Sequence, residues 1–184
     1  QMVGNAGREH RERYGTKPEV CARSGQKNDK SSVNNPYAQF QKDFTLDEIK
    51  QSAPIFGPLT KLQCSPTSDG SAASIIAGER FVDEHDLWDR AIEIVGQAME
   101  TDTASSFEPP SAISVVGAGL SARAAARAYD QAGVGPEDID VIELHDCFSV
   151  NEIITYEALG LADEGEGHLL VDKQDTTYGG RWVV

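Results

Sequence analysis

Three side chains that can exchange protons or act as nucleophiles stand together at His145, Asp146 and Cys147. They follow the apolar segment 141–144, which predicts a buried strand, and precede residues 150–159, which predict a helix. If the extended conformation continues, His145 and Cys147 point to one side and Asp146 points away. In open α/β sheets, ligands collect at the carboxyl ends of strands. We therefore expect His145 and Cys147 to act together, and Asp146 to accept hydrogen bonds from backbone N–H groups.

The helix that follows carries clear start and stop signals. Ser149 and Glu152 have the spacing of a capping box, and Phe148 and Ile153 that of a hydrophobic staple. Gly160 supplies the left-handed residue that ends many helices. These signals place the beginning of a helix directly behind the reactive triplet.

Two influences on the Cys147 thiol oppose each other. The helix N-terminus would lower the pKa of Cys147, whereas the charge of Asp146 would raise it, so the net direction stays open. A less reactive reading also stays open, because a cysteine after a strand is often a small apolar core residue. A zinc site and a cysteine-protease dyad are weaker interpretations, since no second Cys/His pair stands at metal spacing and dyad partners normally come from separate segments. We expect no metal.

The rest of the chain alternates predicted strands and helices. Strands are predicted at 58–64, 90–99 and 141–144, and helices within 65–85, capped by Ser68 or Asp69, and at 120–133, capped by Ser121 and ended by Gly133. This alternation predicts an α/β layered fold, with helices packed on a mixed, mostly parallel sheet. Residues 1–57 indicate a loop-rich segment with one short helix at 45–53, for which Thr45 and Glu48 form a capping box.

Charge is distributed unevenly along the chain. Residues 1–60 hold nine Lys/Arg and seven Asp/Glu, residues 61–184 hold seven and 23, and the formal net charge is −14. An acidic body repels phosphate, which argues against nucleic acid as a partner. No segment approaches the about 20 apolar residues of a membrane-spanning helix. Three cysteines without CxxC spacing favour a reducing compartment.

Four stretches carry a family resemblance: VNNPYAQFQKDFTLDEI, LQCSPTSDGSAA, DVIELHDCFSVNEIITYEALGL and DTTYGGRWVV. They resemble the thiolase domain of the sterol-carrier-protein thiolases, whose HDCF motif stands where other thiolases carry Asn-Glu-Ala-Phe. The resemblance implies a thiolase-like fold in which residues 1–57 belong to the covering loop region, 58–90 end the N-terminal half and 91–184 begin the C-terminal half. Because the chain starts at Gln1 and stops in an apolar run, we expect an incomplete fold and a partial chain.

The same resemblance implies an activity. It is the reversible thiolysis of a 3-oxoacyl-CoA by CoA in lipid or sterol side-chain beta-oxidation, giving acetyl-CoA or propionyl-CoA and a shortened acyl-CoA. His145 matches the histidine that helps to bind the thioester oxygen, and Cys147 matches the cysteine proposed as acid/base. The family also uses a nucleophilic cysteine and a Gly-His-Pro histidine. Neither motif matches within these residues, since Cys21 and Cys64 have other surroundings, so we expect this chain alone to be inactive.

Further residues take expected roles from the resemblance. Coenzyme A is the expected co-substrate, with no covalently bound cofactor. Four basic residues lie in the segment that resembles the CoA-binding region: Arg8, Arg11, Arg13 and Lys17. They are candidates for phosphate contacts, the alternative being a solvated helix face. Three residues are expected to let the backbone pass close to the cavity: Tyr178, Gly179 and Gly180. His10 and His168 are expected at the surface.

Two other functions stay open. One is a thiolase-like retro-aldolase of sterol side chains that works with a small partner protein; the complete HDCF motif argues against it. The other is a non-catalytic remnant that binds acyl-CoA or an intact thiolase subunit. The family resemblance also implies a homodimer, and a peroxisomal location in a eukaryote or a cytoplasmic one otherwise.

Overall fold

The computed structural model describes residues 1–184, and helices dominate it. Eight α-helices and two short strands follow one another: α1 (Met2–Tyr14), α2 (Pro18–Ser32), α3 (Leu46–Gln51), β1 (Pro54–Phe56), β2 (Leu59–Thr60), α4 (Glu79–Glu84), α5 (Ala112–Val115), α6 (Ala118–Ala132), α7 (Ser149–Ala158) and α8 (Gly167–Lys173). Short 3₁₀ turns lie at Lys61–Gln63, Ala104–Ser106 and Pro136–Asp138. None of the helices combines the length and the apolar character that crossing a membrane requires.

Helix α7 lies at the centre of the packed part of the molecule, where it contacts α1, α2, α6 and α8. The main apolar core comprises residues of α1, α2, β2 and α7: Ala6, Val20, Cys21, Leu59, Val150, Ile153 and Ile154. A smaller core joins Tyr156 of α7 to Leu161 and to Leu170 of α8. The four residues before α7 are therefore attached to the most firmly packed helix of the chain.

The expectation of a loop-rich segment over residues 1–57 is wrong for its first half, which forms α1 and α2. Helix α1 buries small residues and one histidine, so its sequence shows no row of large apolar residues: Gly4, Ala6, Gly7 and His10. A Cβ on Gly7 would come within 3.1 Å of side-chain atoms of Pro58 and Val150. Helix α1 approaches α7 this closely because glycine occupies that position.

His10 was expected at the surface and is instead fully buried. Its Nδ1 lies 2.6 Å from Thr16 Oγ1, and its Nε2 lies 2.8 Å from Glu157 Oε1 of α7. Both ring nitrogens thus have partners, as a buried imidazole requires. His168 is only half-buried, with its ring centroid 6.4 Å from that of His10. The buried histidine ties α1 to α7.

The sheet is small. β1 and β2 pair antiparallel, with Pro54 opposite Thr60 and Phe56 opposite Leu59. The predicted strand at 58–64 is therefore only β2 followed by a 3₁₀ turn. The predicted strand at 141–144 is reduced to one parallel bridge, between Val141 and Val183.

Residues 90–99, predicted as a strand, have none in the structure. Their apolar side chains are exposed, with Ile92 at 90% and Met99 at 85% of full accessibility. An extended segment becomes a strand only when a neighbouring segment pairs with its backbone N–H and C=O groups. No such neighbour lies beside it in residues 1–184.

The helix predictions succeeded where local signals were strong. α3 has the predicted capping box, in which Thr45 Oγ1 accepts from the Glu48 N–H and the Glu48 carboxylate accepts from the Thr45 N–H. α6 ends at Gly133 in the left-handed conformation as predicted, but it begins after Gly117, not at Ser121. The predicted helix within 65–85 forms only as α4, and neither Ser68 nor Asp69 caps it.

Candidate functional site

An open cleft of about 1030 Å³ lies in front of the HDCF motif, between α2, residues 37–44, residues 61–68 and the start of α7. We call it the Cys147 cleft. Its chemically active lining residues come from three segments of the chain: Asn28, Asp29, Cys64, His145, Asp146 and Cys147. His145 and Cys147 both line this cleft, and Asp146, which was expected to point away, lines it as well. The catalytic roles of His145 and Cys147 stay predictions.

Backbone hydrogen bonds hold the motif in place from both sides. The Ser65 N–H donates to the Cys147 carbonyl oxygen at 3.0 Å, and the Asn151 side-chain amide donates to the His145 carbonyl oxygen at 3.0 Å. An antiparallel bridge between Cys64 and Phe148 continues the first contact. The segment 61–65 therefore forms the opposite wall and brings a second thiol, Cys64, into the cleft.

The predicted capping box at the start of α7 is wrong. Phe148 is the N-cap residue, and no side chain caps the helix. Ser149 Oγ donates instead to Gln63 Oε1 at 3.0 Å, and the buried Glu152 turns away from the helix end towards α2. Both residues found partners in other elements that a local capping pattern cannot reveal. Phe148 packs against the core that contains Ile153, as a hydrophobic staple would.

The end of α7 has the left-handed glycine that the sequence predicted. Gly160 has φ 73°, the Leu161 N–H donates to the Tyr156 carbonyl at 3.0 Å, and the Gly160 N–H donates to the Glu157 carbonyl at 3.0 Å. This pair of bonds is a Schellman motif, which favours glycine at the left-handed position.

The carboxyl group of Asp146 contacts α2, and its partners differ from the expectation. It was expected to accept from backbone N–H groups, and it accepts instead from the side-chain amide of Asn28 on α2. Burial, and after it the nearby charge of Glu152, raises the pKa of Asp146 to about 8. Asp146 is therefore largely protonated at neutral pH.

The two cleft thiols are weakly acidic. Burial, followed by the charge of Asp146, raises the pKa of Cys147 above its usual value, and backbone N–H groups offset this only in part. Burial, followed by the neighbouring Cys147, likewise raises the pKa of Cys64. The direction that the sequence left open is thus upward. Cys147 carries its proton near neutrality.

The four basic residues expected to contact CoA, three in α1 and Lys17 before α2, do not reach the cleft. Arg8 donates to Asn5 at 2.7 Å, and Arg13 pairs with Glu9 and Glu164, each at 3.2 Å. Arg11 and Lys17 are exposed, and none of the four basic residues lines the Cys147 cleft. Any contact with CoA phosphates stays a prediction.

The Tyr178–Gly180 turn lies elsewhere than expected. A Cβ on Gly180 would lie 2.5 Å from the Gln174 carbonyl oxygen, so glycine is needed where the turn closes on residues 174–175. Gly179 has φ 88°, and Tyr178 is largely exposed. Tyr178 lines a separate cavity of about 410 Å³ beside Lys27, not the Cys147 cleft.

Sequence reasoning missed the α2 contribution to the site. Ser24, Lys27 and Asn28 have the i, i+3, i+4 spacing of one helix face, and all three contact Glu152. That spacing is visible in the sequence, but it has meaning only once residues 18–32 are recognised as a helix. Cys64 was likewise noticed only as a cysteine outside the family motif.

Comparison with known proteins supports the predicted resemblance. Residues 102–184 match the family described as thiolase C-terminal domain-like. The predicted resemblance to thiolase-type proteins is confirmed. Over all 184 residues the chain is 58% identical to sterol carrier protein 2 of Rattus norvegicus, of which it covers 34%. Over 149 residues, 78% of this chain, it is 36% identical to acetyl-CoA acetyltransferase of Methanocaldococcus jannaschii, of which it covers 36%.

The chain thus spans about a third of the length of these relatives. A solved structure, the Ltp2-ChsH2(DUF35) aldolase, superposes with a TM-score of 0.79 and 24% identity, covering 99% of this chain and 48% of that one. Together with the family match, this likeness confirms the predicted fold class, a partial thiolase-like α/β fold. The segment boundaries at residues 57 and 90 stay predictions.

Proposed function

We propose that this chain supplies the proton-transfer part of an acyltransferase site. The reaction is thiolysis of a 3-oxoacyl-CoA by CoA, which yields acetyl-CoA or propionyl-CoA and a shortened acyl-CoA. The Cys147 cleft is the observation that carries the proposal, because an imidazole and a protonated thiol line one cavity large enough for an acyl-thioester. The similarity to thiolase-type chains supports the choice of reaction.

The raised pKa of Cys147 suits it to begin as an acid. When the C2–C3 bond of the substrate breaks, the acyl group passes to a nucleophilic cysteine of a motif that does not match within these 184 residues. The Cys147 S–H then gives its proton to the enolate carbon, which completes acetyl-CoA. In the second half, the Cys147 thiolate takes the proton of the CoA thiol, whose sulfur attacks the acyl group and displaces the nucleophilic cysteine as a thiolate.

His145 has a separate role in the proposed reaction. Its N–H donates to the thioester oxygen, on which negative charge develops when the enolate forms. The exposed side chain of His145 suits this role because the substrate can reach it, and Asn151 anchors the backbone carbonyl of the same residue. Removal of such a donor lowers kcat by about 10²- to 10³-fold in enzymes of this kind.

We also propose the remaining properties that the family implies. CoA is the co-substrate, the complete protein forms a homodimer, and in a eukaryotic cell it is peroxisomal. The α1 basic residues are proposed to bind CoA phosphates only in the complete protein. An Arg11→Glu variant would then raise the KM for CoA without lowering kcat, and an unchanged KM would contradict this role.

A chimera tests the proposal directly. The 184 residues replace the matching third of rat sterol carrier protein 2, to which they are 58% identical, and acetyl-CoA formation from acetoacetyl-CoA and CoA is measured. We expect turnover by the chimera, none by the 184 residues alone, and at least about 100-fold lower kcat after His145→Ala. The unmodified rat protein serves as the assay control.

Three results would overturn the proposal. One is acetyl-CoA release by the isolated 184 residues, which would mean that no further nucleophile is needed. Another is full activity of the His145→Ala chimera. The third is retro-aldol cleavage without any requirement for CoA, which would favour the aldolase alternative.

A further inference from the structure

A buried polar cluster lies next to the HDCF motif, between α2 and α7. Its centre is the carboxyl group of Glu152, which is 1% exposed. Four side chains donate to that carboxyl group: Ser24, Lys27, Asn28 and Tyr156. The cluster joins α2 to α7, and Asn28 connects it to Asp146, the residue before Cys147.

Asp146 and Glu152 meet at one donor in this cluster. The Asn28 side-chain nitrogen donates to Asp146 Oδ2 and also lies 2.7 Å from Glu152 Oε2. Asp146 Oδ1 is buried and has no hydrogen-bond partner. Two ionised carboxylates placed this closely would repel each other, so one proton between them is the stable arrangement.

The two carboxyl groups differ in pKa, and this difference determines which of them holds the proton. Burial and then the charge of Glu152 raise the pKa of Asp146 to about 8. Burial alone would raise the pKa of Glu152 as well, but the Lys27 ammonium and the hydrogen bonds it receives lower it overall. The proton therefore resides on Asp146, the residue between His145 and Cys147.

We propose that Asp146 and Glu152 share one proton, and that Asp146 acts through it as a positioning residue that controls the charge beside the Cys147 thiol. While the proton is held, Asp146 is neutral and the thiol can ionise more readily. When the proton leaves, the Asp146 carboxylate opposes ionisation of the thiol. The inference deepens the proposed function, which needs Cys147 to exchange a proton.

Several other titratable or charged groups surround this pair. Those facing Asp146 or Cys147 come from α2, α7, the opposite cleft wall and the motif itself: Lys27, Asp29, Cys64, His145 and Tyr156. Burial and the neighbouring Glu152 raise the pKa of Tyr156 far above neutrality, so it stays protonated. Burial and then Asp43 raise the pKa of Asp29 to about 6, so this carboxyl must be tested as an alternative source of any pH effect.

Thiol alkylation tests the proposal without any acyl substrate. A Cys64→Ser background leaves Cys147 as the accessible thiol, because Cys21 is buried. The rate of Cys147 alkylation by iodoacetamide is measured by mass spectrometry at pH 6.5 and 9.5. The background chain is compared with three further variants, Asp146→Asn, Glu152→Gln and, as the control carboxyl in the same cleft, Asp29→Asn.

The expected pattern is a crossover. At pH 6.5 the background chain reacts like Asp146→Asn, because Asp146 is neutral in both, and Glu152→Gln reacts about three- to tenfold more slowly. At pH 9.5 the background chain reacts like Glu152→Gln, and Asp146→Asn reacts about three- to tenfold faster. Asp29→Asn should keep the crossover.

If Glu152→Gln does not fold, the alkylation rates of Asp146→Asn and of the background chain are sufficient to test the proposal. A ratio of Asp146→Asn to background rates that is the same at both pH values would overturn the proposal, because a merely structural aspartate would act equally at each. Loss of the crossover in Asp29→Asn would assign the effect to Asp29 and also overturn it. Since no acyl-CoA is used, this test and the chimera assay can fail independently.

Discussion

Two regions of this chain contain comparable apolar side chains and bury them very differently. In α1, α2, α7 and α8, residues such as Ala6, Val20 and Ile153 are almost completely inaccessible. In residues 65–103, Ile75 is 96% exposed and Ile92 is 90% exposed. We call the first region the packed region and the second the open region.

The difference shows that burial in this fold depends on partners more than on composition. The packed region finds its partners within the chain, even where its buried residues are glycine, serine or histidine. The open region contacts α6 near Gly96 and Glu100, but no strand pairs with its backbone and its large apolar side chains stay exposed. The Cys147 cleft is built from α2, residues 37–44, residues 61–68 and the HDCF motif, and hydrogen bonds with Cys147 and Ser149 hold residues 61–68 in place.

The largest stability difference should separate these regions. Ile153→Ala removes a fully buried side chain from the main core and should lower the free energy of unfolding by about 2–5 kcal/mol. Ile92→Ala, the matched control in the open region, should change it by less than about 0.5 kcal/mol. Urea denaturation measures both. Equal losses would mean that residues 90–99 are packed in solution, which would break the comparison.

The second prediction concerns how the free energy of unfolding of the packed region depends on pH. Folded Asp146 keeps its proton up to about pH 8, whereas in the unfolded chain it ionises near pH 4. This stabilising contribution is complete below about pH 4 and is lost as pH rises through 8. Asp146→Asn removes the dependence and should raise the free energy of unfolding at pH 8.5 relative to its effect at pH 4.

The experiment is urea denaturation of both chains across that pH range. A difference between the two chains that does not vary with pH would show that Asp146 is ionised throughout in the folded protein.

The smallest expected loss of stability concerns the capping box of α3, which lies between the two regions in the sequence. Thr45→Ala removes the side-chain acceptor of the α3 capping box, and we expect a loss of about 1 kcal/mol. Thr67→Ala provides a control at an exposed position outside any helix. Thermal unfolding compares the two variants. No difference between them would indicate that α3 contributes little to the stability of the packed region.

Local signals explain which elements the sequence could predict. The Thr45 capping box, the glycines that end α6 and α7, and the position of HDCF before a helix all depend on residues close together in the chain. The pairing of His145 and Cys147 in one cleft followed from backbone alternation alone.

The failures have a common physical cause, which is dependence on distant segments. α1 and α2 bury small and polar residues against elements distant in the sequence, among them α5 and α7, so periodicity could not reveal them. Ser149 and Glu152 have the spacing of a capping box, but they hydrogen-bond to Gln63 and to Ser24 of α2 instead. The strand predicted at 90–99 had the right alternation but lacks a neighbour, which no single segment can indicate.

The most direct test of the central claim compares the two thiols of the Cys147 cleft in the chimera. Cys147→Ala should lower kcat for acetyl-CoA formation by about 10²- to 10⁴-fold, because the proton donor and acceptor is lost. Cys64→Ala, which removes the neighbouring thiol from the same cleft, should leave kcat within about threefold of the parent chimera. Equal loss in both variants, or full activity after Cys147→Ala, would contradict proton transfer by Cys147.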